Sequence, residues 1–295
     1  MALTVRMGIH IRAPREFVFQ HLLTPHHLAR WFCNFAAFDP RGPAIGTKFR
    51  FGGDYAIVAA DAPGWTAEIL GGEVLKSVTF RWPLPDADTR VEWQVEDAAE
   101  GSVMRVVHSG LPREDGTSGT FQDAWRVCLG NLKSIAEARD DSLRPDSSPL
   151  REPRFKLDLL VGVPRPTAFA ALTDPARLRA WADTGAPATV EPRVDGGYSL
   201  GWPAPGRIVA MGPPGLLAVS FPMAGHEPRA TFRLEAKSEE RSGLYFSFEG
   251  FSPEDAAAAF RMRGRWTALL VGLKSLLEAG EVGFTEPYAK QLERA

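Results

Sequence analysis

The chain repeats itself, and that repetition restricts its possible folds more than any other feature. Ala13-Pro14-Arg15 aligns with Val163-Pro164-Arg165. The same offset carries Phe19 onto Phe169, Leu22 onto Leu172, Pro25 onto Pro175, Leu28 onto Leu178, Trp31 onto Trp181 and Gly46 onto Gly196. Later in each half a shorter offset carries Trp125 onto Trp266, Leu129 onto Leu270 and Leu132-Lys133-Ser134 onto Leu273-Lys274-Ser275, and between these blocks Val78 and Phe80 fall on Val219 and Phe221. Three blocks in one order indicate duplication, and units this long are whole domains, not solenoid repeats. Ser, Pro, Asp and Arg crowd together from Asp140 to Glu152, a linker composition. The expected organisation is a first copy over 1–141, a linker over 142–152, a second copy over 153–280 and a tail over 281–295. Phe284 and Tyr288 could pack back on a domain, but a frayed terminus is the simpler expectation.

Within one copy, Leu3 to Ile11 alternates apolar and polar residues and reads as a strand. Pro14 suits the first turn of a helix, where its missing N–H costs nothing. Phe17, Val18, Leu22 and Leu23 give that helix a buried side. Thr24-Pro25 starts a second short helix through Phe32, as Asp174-Pro175 does in the other copy. Strand-like segments follow at Thr47 to Phe51, Thr66 to Leu70, Val74 to Trp82, Arg90 to Glu96 and Ser102 to His108, separated by Gly-rich turns. With no intervening helices, they form an antiparallel meander. Trp125, Cys128, Leu129, Leu132, Ile135 and Ala136 then make one stripe of a helix, repeated by Trp266, Leu269, Leu270, Leu273, Leu276 and Leu277. The predicted fold is α+β: two tandem domains, each a curved antiparallel sheet wrapped round a long C-terminal helix.

These residues resemble the START-like helix-grip superfamily, and within it the branch related to the activator of Hsp90 ATPase. Ala13-Pro14, Thr24-Pro25-xx-Leu28-xx-Trp31-Phe32, Gly52-Gly53, Val106-Val107-His108-Ser109-Gly110 and Trp125 carry the likeness in the first copy. Val163-Pro164, Asp174-Pro175-xx-Leu178-xx-Trp181, Gly196-Gly197, Glu249-Gly250-Phe251 and Trp266 carry it in the second. Pairing Gly110 with Gly250 sets Phe248 where the first copy has His108. The resemblance implies a cavity between sheet and helix for a hydrophobic small molecule, or a surface for a protein partner.

The leading functional reading is binding of an apolar, aromatic small molecule in that cavity, with no chemistry assigned. In the first copy the lining candidates are Trp31, Phe35, Phe49, Phe51, Trp65, Phe80, Trp82, Trp93, His108 and Trp125, with Phe32 and Phe38 beside them. In the second they are Trp181, Tyr198, Trp202, Phe221, Phe246, Phe248 and Trp266. Aromatic walls bury large area and stack on flat ligands. The competing view of each ring is ordinary core packing. The first copy, richer in aromatics before its long helix, is expected to hold the larger cavity. An alternative is an enzyme, because tandem helix-grip domains look like polyketide aromatase/cyclases. Only His108, facing inward on the Met104-Val106-His108 alternation, stands as a candidate base. A third reading is a protein-interaction or chaperone-regulatory module.

Composition narrows the field. Net charge is -2 with no long run of one sign, against nucleic-acid binding on a broad basic face. No apolar run is long enough to span a bilayer, and Met1 to Arg12 lacks an apolar signal core, so a cytoplasmic location is expected. Cys33 and Cys128 are the only cysteines and make no disulfide framework. His21, His26, His27 and Cys33 lie close in sequence, but adjacent His26 and His27 point about 100° apart on a helix and converge poorly on a metal. No CxxC, HExxH, GxSxG or GxxxxGK[ST] motif occurs, so no metal, cofactor or nucleophile is called for.

Overall fold

The computed structural model describes residues 2–53, 64–85, 87–112, 118–140, 142–146, 148–182, 187–202, 204–223 and 225–294. The chain divides into two compact units: Met1–Ser148 with Gly283–Glu286 and Lys290–Ala295, and Pro149–Val282 with Pro287–Ala289.

The first unit runs β1 (Leu3–Ile11), α1 (Arg15–Leu23), α2 (Pro25–Trp31), β2 (Phe35–Phe38), β3 (Lys48–Gly52), β4 (Trp65–Glu73), β5 (Ser77–Leu84), β6 (Ala87–Ala98), β7 (Gly101–Leu111) and α3 (Ser118–Ala136). β2 to β7 form an antiparallel meander, and β1 adds beside β7. The alternation in β1 is realised: Leu3, Val5, Met7, Ile9 and Ile11 are buried. β2 was not legible from its four residues. Val74, read as the start of a strand, sits in the turn between β4 and β5 and is 82% exposed.

The second unit repeats this order as β8 (Phe155–Val161), α4 (Arg165–Thr173), α5 (Pro175–Ala182), β9 (Thr189–Val190), β10 (Gly197–Ser199), β11 (Gly206–Gly212), β12 (Leu216–Ser220), β13 (Arg229–Ala236), β14 (Ser242–Glu249) and α6 (Ala256–Ala279). Its sheet has the order β8-β14-β13-β12-β11-β10-β9. The chain is therefore two tandem helix-grip domains.

The tail is not frayed. β15 (Leu292–Arg294) pairs antiparallel with β1 and makes the first sheet eight-stranded. Glu286 accepts the Gly8 N–H at 2.7 Å and holds Arg105 at 3.0 Å. Phe284 lies under the Arg126 guanidinium at 4.1 Å, and Arg126 donates to Gln291 Oε1 at 3.0 Å. Those contacts explain why α3 is buried on both sides and not only along its apolar stripe. Its polar side is matched by tail and linker groups, as where Asn131 donates to the Leu143 carbonyl and accepts the Ser142 N–H.

The duplication extends to individual hydrogen bonds. Ser102 Oγ donates to the Ala13 carbonyl at 3.0 Å, and Ser242 Oγ to Val163 at 2.8 Å. Trp31 Nε1 donates to His21 O, and Trp181 Nε1 to Ala171 O. Lys133, wholly buried, reaches His10 O and Glu137; Lys274 reaches Leu160 O and Glu278. Glu137 in turn accepts the Arg12 N–H, as Glu278 accepts that of Gly162. This explains why Lys survives in the middle of both helices: its ammonium ties the helix to the end of the first strand.

Strand register corrects the sequence alignment. Val78 pairs with Trp93, and Trp93 with Val106; Leu217 pairs with Phe232, and Phe232 with Phe246. With Ser102 matched to Ser242, Val78 corresponds to Leu217, Phe80 to Val219 and Trp82 to Phe221. The alignment by similarity was two residues out on this strand, a slip that preserves the face and so hides in the hydrophobic pattern. A bulge between Ile69 and Gly71 recurs between Ile208 and Ala210 and confirms the register. Gly46 likewise corresponds to Asp195, not Gly196: both have positive φ, and both donate to the matching isoleucine carbonyl.

Candidate functional site

The interior of the first domain is a continuous aromatic cluster between sheet and α3. β3 contributes Phe49 and Phe51, β5 contributes Phe80 and Trp82, and β6 contributes Trp93, all from inward positions of their strands. α2 adds Trp31 and α3 adds Trp125. Phe32 joins them: its ring lies 4.9 Å from Phe51, 5.3 Å from Trp93 and 5.5 Å from Trp125. Phe35 and Trp65 are half-buried at the margin.

His108 faces inward, as expected, and is fully buried. Its ring stacks on Trp82 at 5.2 Å and meets Phe121 edge-on. Trp125 Nε1 lies 3.2 Å from His108 Nδ1, and His108 Nε2 lies 2.8 Å from Thr89 Oγ1. An indole N–H only donates, so Nδ1 is the acceptor and the proton sits on Nε2. Nε2–H then donates to Thr89, whose hydroxyl donates to the Trp82 carbonyl at 2.6 Å. The chain runs one way, Trp125 to His108 to Thr89 to Trp82, and fixes a neutral tautomer. Burial drives the His108 pKa down to about 3. Thr89 and Phe121 were not singled out in the sequence, although Thr89 shares the alternation of Val91 and Trp93.

Two donors in this cluster are left over. Trp82 Nε1 and Trp93 Nε1 are buried without a hydrogen-bond partner among the described residues. An unpaired buried N–H costs about 1–3 kcal/mol, so each calls for an explanation.

In the second domain Phe221, Phe232, Phe246 and Phe248 surround Trp266, the nearest being Phe246 at 4.6 Å. Phe232, the counterpart of Trp93, was not among the sequence candidates, because the strands of these two residues were not aligned. Phe248 replaces His108, and Pro228 stands where the ladder places Thr89. The relay is therefore gone, and Trp266 Nε1 is buried without a partner. Tyr198, the counterpart of Phe49, buries its hydroxyl unpaired, and burial raises its pKa well above the ordinary phenol range. Trp181 is satisfied through Ala171. Trp202 is half-buried beneath the Arg265 guanidinium and is not part of this cluster.

The larger cavity expected in the first copy is not found among the described residues. A depression of about 190 Å³ lies between α1 and the β4–β5 turn of the first domain, and those of about 770, 560 and 440 Å³ in the second domain lie on the outer side of its sheet and among α4, α5 and α6, so none of them is the expected space between sheet and long helix. Large aromatics fill space as readily as they enclose it. His27 stacks on His21 at 4.3 Å between ring centroids and meets His26 edge-on at 4.0 Å, and no metal-ligating cluster occurs among the described residues. Cys33 and Cys128 are buried free thiols, Cys33 pushed up to about 12 by desolvation. No helix among the described residues is long and apolar enough to cross a membrane.

The family model described as activator of Hsp90 ATPase homolog 1-like protein matches residues 12–137 and 162–278, most of the chain. The chain belongs to that family. Each match covers one copy, so this member of the Hsp90 ATPase activator homolog 1-like family carries the domain twice. It is similar to the solved structure of MLL2253 from Mesorhizobium loti, at 21% identity over 46% of this chain and 98% of that one, with a TM-score of 0.39. It is also similar to DynU16, titled a putative protein in the dynemicin biosynthetic locus, at 18% identity over 94% and 98%, with a TM-score of 0.39. The Aha1 dimer from Colwellia psychrerythraea matches at 20% identity over 45% and 96%, with a TM-score of 0.37. No curated protein matches the chain.

Proposed function

We infer that the first domain binds a flat, uncharged aromatic molecule carrying hydrogen-bond acceptors, between its sheet and α3. The carrying observation is the pair of buried, unpartnered indole N–H groups of Trp82 and Trp93 within an otherwise apolar aromatic interior. Both groups only donate, so the complementary guest presents carbonyl, quinone or ether oxygens. The walls are already buried, so the gain comes from the guest's own apolar surface leaving water, about 25 cal/mol per Å². An ion would be desolvated there without a counter-charge. The second domain, with Tyr198 and Trp266 unpaired, offers a similar but less aromatic interior.

Binding is favoured over catalysis by the state of His108. Both of its nitrogens are already engaged, and it stays neutral far below physiological pH. A general base needs a free nitrogen and a pKa near the working pH. The reading is tested by titrating the full chain with 9-fluorenone and following tryptophan quenching, beside native mass spectrometry of the purified protein for a retained guest. Saturable quenching that weakens in Trp82→Phe and Trp93→Phe, with melting temperature little changed, is expected. Quenching unaltered by both substitutions would refute it.

A further inference from the structure

The outer face of the second sheet carries a built depression that the interior reading does not use. Strand register places Ala210, Ala218, Thr231, Ser247 and Lys156 in one row across β11, β12, β13, β14 and β8. Four of these five side chains are small, so the row is a floor. Ala218 points away from the core yet is only 5% exposed, because the neighbouring rows rise above it. One wall is the row Leu216, Arg233, Tyr245 and Asp158; the other is Ser220, Arg229 and Glu249. With strands about 4.8 Å apart, the trough is about 19 Å long. It encloses about 560 Å³ and adjoins the depression of about 770 Å³ at its Arg229–Glu249 wall.

The duplicated scaffold supplies a control. At the matching floor positions the first domain has Gly71, Thr79, Glu92, Val107 and Arg6, so its row carries a carboxylate and a branched apolar side chain where the second carries Thr and Ser. The run of small floor side chains is therefore peculiar to the second copy among the described residues. The trough's charge is also uneven. Arg229 is held by Glu249, and Arg154 by Glu152. Lys156 and Arg233 face the trough with only Asp158 to offset them, leaving one net positive charge.

We propose that this trough is a second binding site, for an elongated flat molecule bearing a single carboxylate. Its aromatic body lies along the Ala218–Thr231–Ser247 floor against Tyr245, and the carboxylate is held by Lys156 and Arg233. Geometry and charge give the class: the floor is too shallow for a bulky guest, and a neutral guest would leave the cations unused. The site lies in the second domain, on the face of its sheet opposite Trp266, and stands or falls independently of the first domain's interior.

The test is isothermal titration of the full chain with biphenyl-4-carboxylate and with its neutral amide. One carboxylate site per chain is expected, with the amide at least about tenfold weaker, a difference of about 1.4 kcal/mol. Arg233→Gln and Lys156→Gln should each weaken the carboxylate and weaken its salt dependence. Thr231→Arg, which fills the floor from an outward position, should abolish this site while Trp82→Phe leaves it intact. Melting of each variant checks the fold. No saturable binding, equal affinity for acid and amide, or full binding by a folded Thr231→Arg protein would each overturn the proposal. Loss in Trp82→Phe alone would assign the acid to the interior instead, which also overturns it.

Discussion

The two domains share a frame and differ in what it encloses. Each clamps the end of its first strand with a buried lysine, ties its edge with the same serine, satisfies the indole of its second helix with the same carbonyl and bends its sheet at the same bulge. Inside that frame Phe80 becomes Val219, Trp82 becomes Phe221, Trp93 becomes Phe232, His108 becomes Phe248 and Thr89 becomes Pro228. The difference separates two kinds of residue. Polar groups that close the backbone's own hydrogen bonds persist because losing one leaves a buried carbonyl or charge exposed to no partner. Interior side chains are free to drift as long as volume is roughly kept. Where the second domain has Phe248 in place of His108, Trp266 Nε1 has no acceptor among the described residues.

The comparison is broken most severely at the lysines. Lys133→Met and Lys274→Met each take the lysine from a buried strand carbonyl and a largely buried glutamate; Glu137 keeps Arg139, so the cost should be at most about 3–5 kcal/mol. Each should lower amide protection in its own domain by a similar amount. A large loss in one domain and none in the other would dissolve the shared frame.

The relay comes next. His108→Phe copies the second domain's solution and strands Trp125 Nε1, at a cost of about 1–3 kcal/mol. It should also change the acid response. His108 in the folded domain titrates at about 3, below its ordinary value of 6.5, so the unfolded chain binds the extra proton first as pH falls. Stability from this group is complete above pH 6.5 and is lost progressively toward pH 3. The first domain should lose protection across that window faster than the second, and His108→Phe should remove most of the excess. His21 and His27, whose pKa values burial also lowers, and the carboxylates Asp39 and Glu137, held low by hydrogen bonds from Arg41 and from Arg12, Lys133 and Arg139, add to the same loss. An unchanged acid profile in the variant would contradict the neutral relay.

The smallest effect concerns the end of the tail, where Gln291 and β15 pack on the first domain. Gln291→Ala removes one acceptor of the buried Arg126 and should cost the first domain about 1–2 kcal/mol, with no change in the second. Hydrogen exchange resolved by domain distinguishes the two.

Much of this architecture was legible in the sequence because it is periodic. The long-helix stripes, the alternation of β1, the proline-led helices and the inward His108 follow from spacing alone. The register of β12 was not, since a slip of two residues preserves every face. β15 was invisible because a three-residue strand gains its stability from the β1 edge it meets and has no pattern of its own. The roles of Lys133 and Lys274 were hidden for a related reason: a helix lysine reads as solvated until the carbonyl it reaches is known. Trp31, Phe51, Trp82 and Trp93 share one interior while Trp202 lies apart under Arg265, and whether a ring lines a space or fills it is a property of three dimensions.

The most direct test is nuclear magnetic resonance of the eight indole N–H groups during addition of 9-fluorenone. The Trp82 and Trp93 resonances should move together toward the hydrogen-bonded range, while Trp31 and Trp181, already bonded to backbone carbonyls, stay in place. If Trp82 and Trp93 do not respond, or all eight drift alike, no acceptor-bearing guest occupies the first domain's interior.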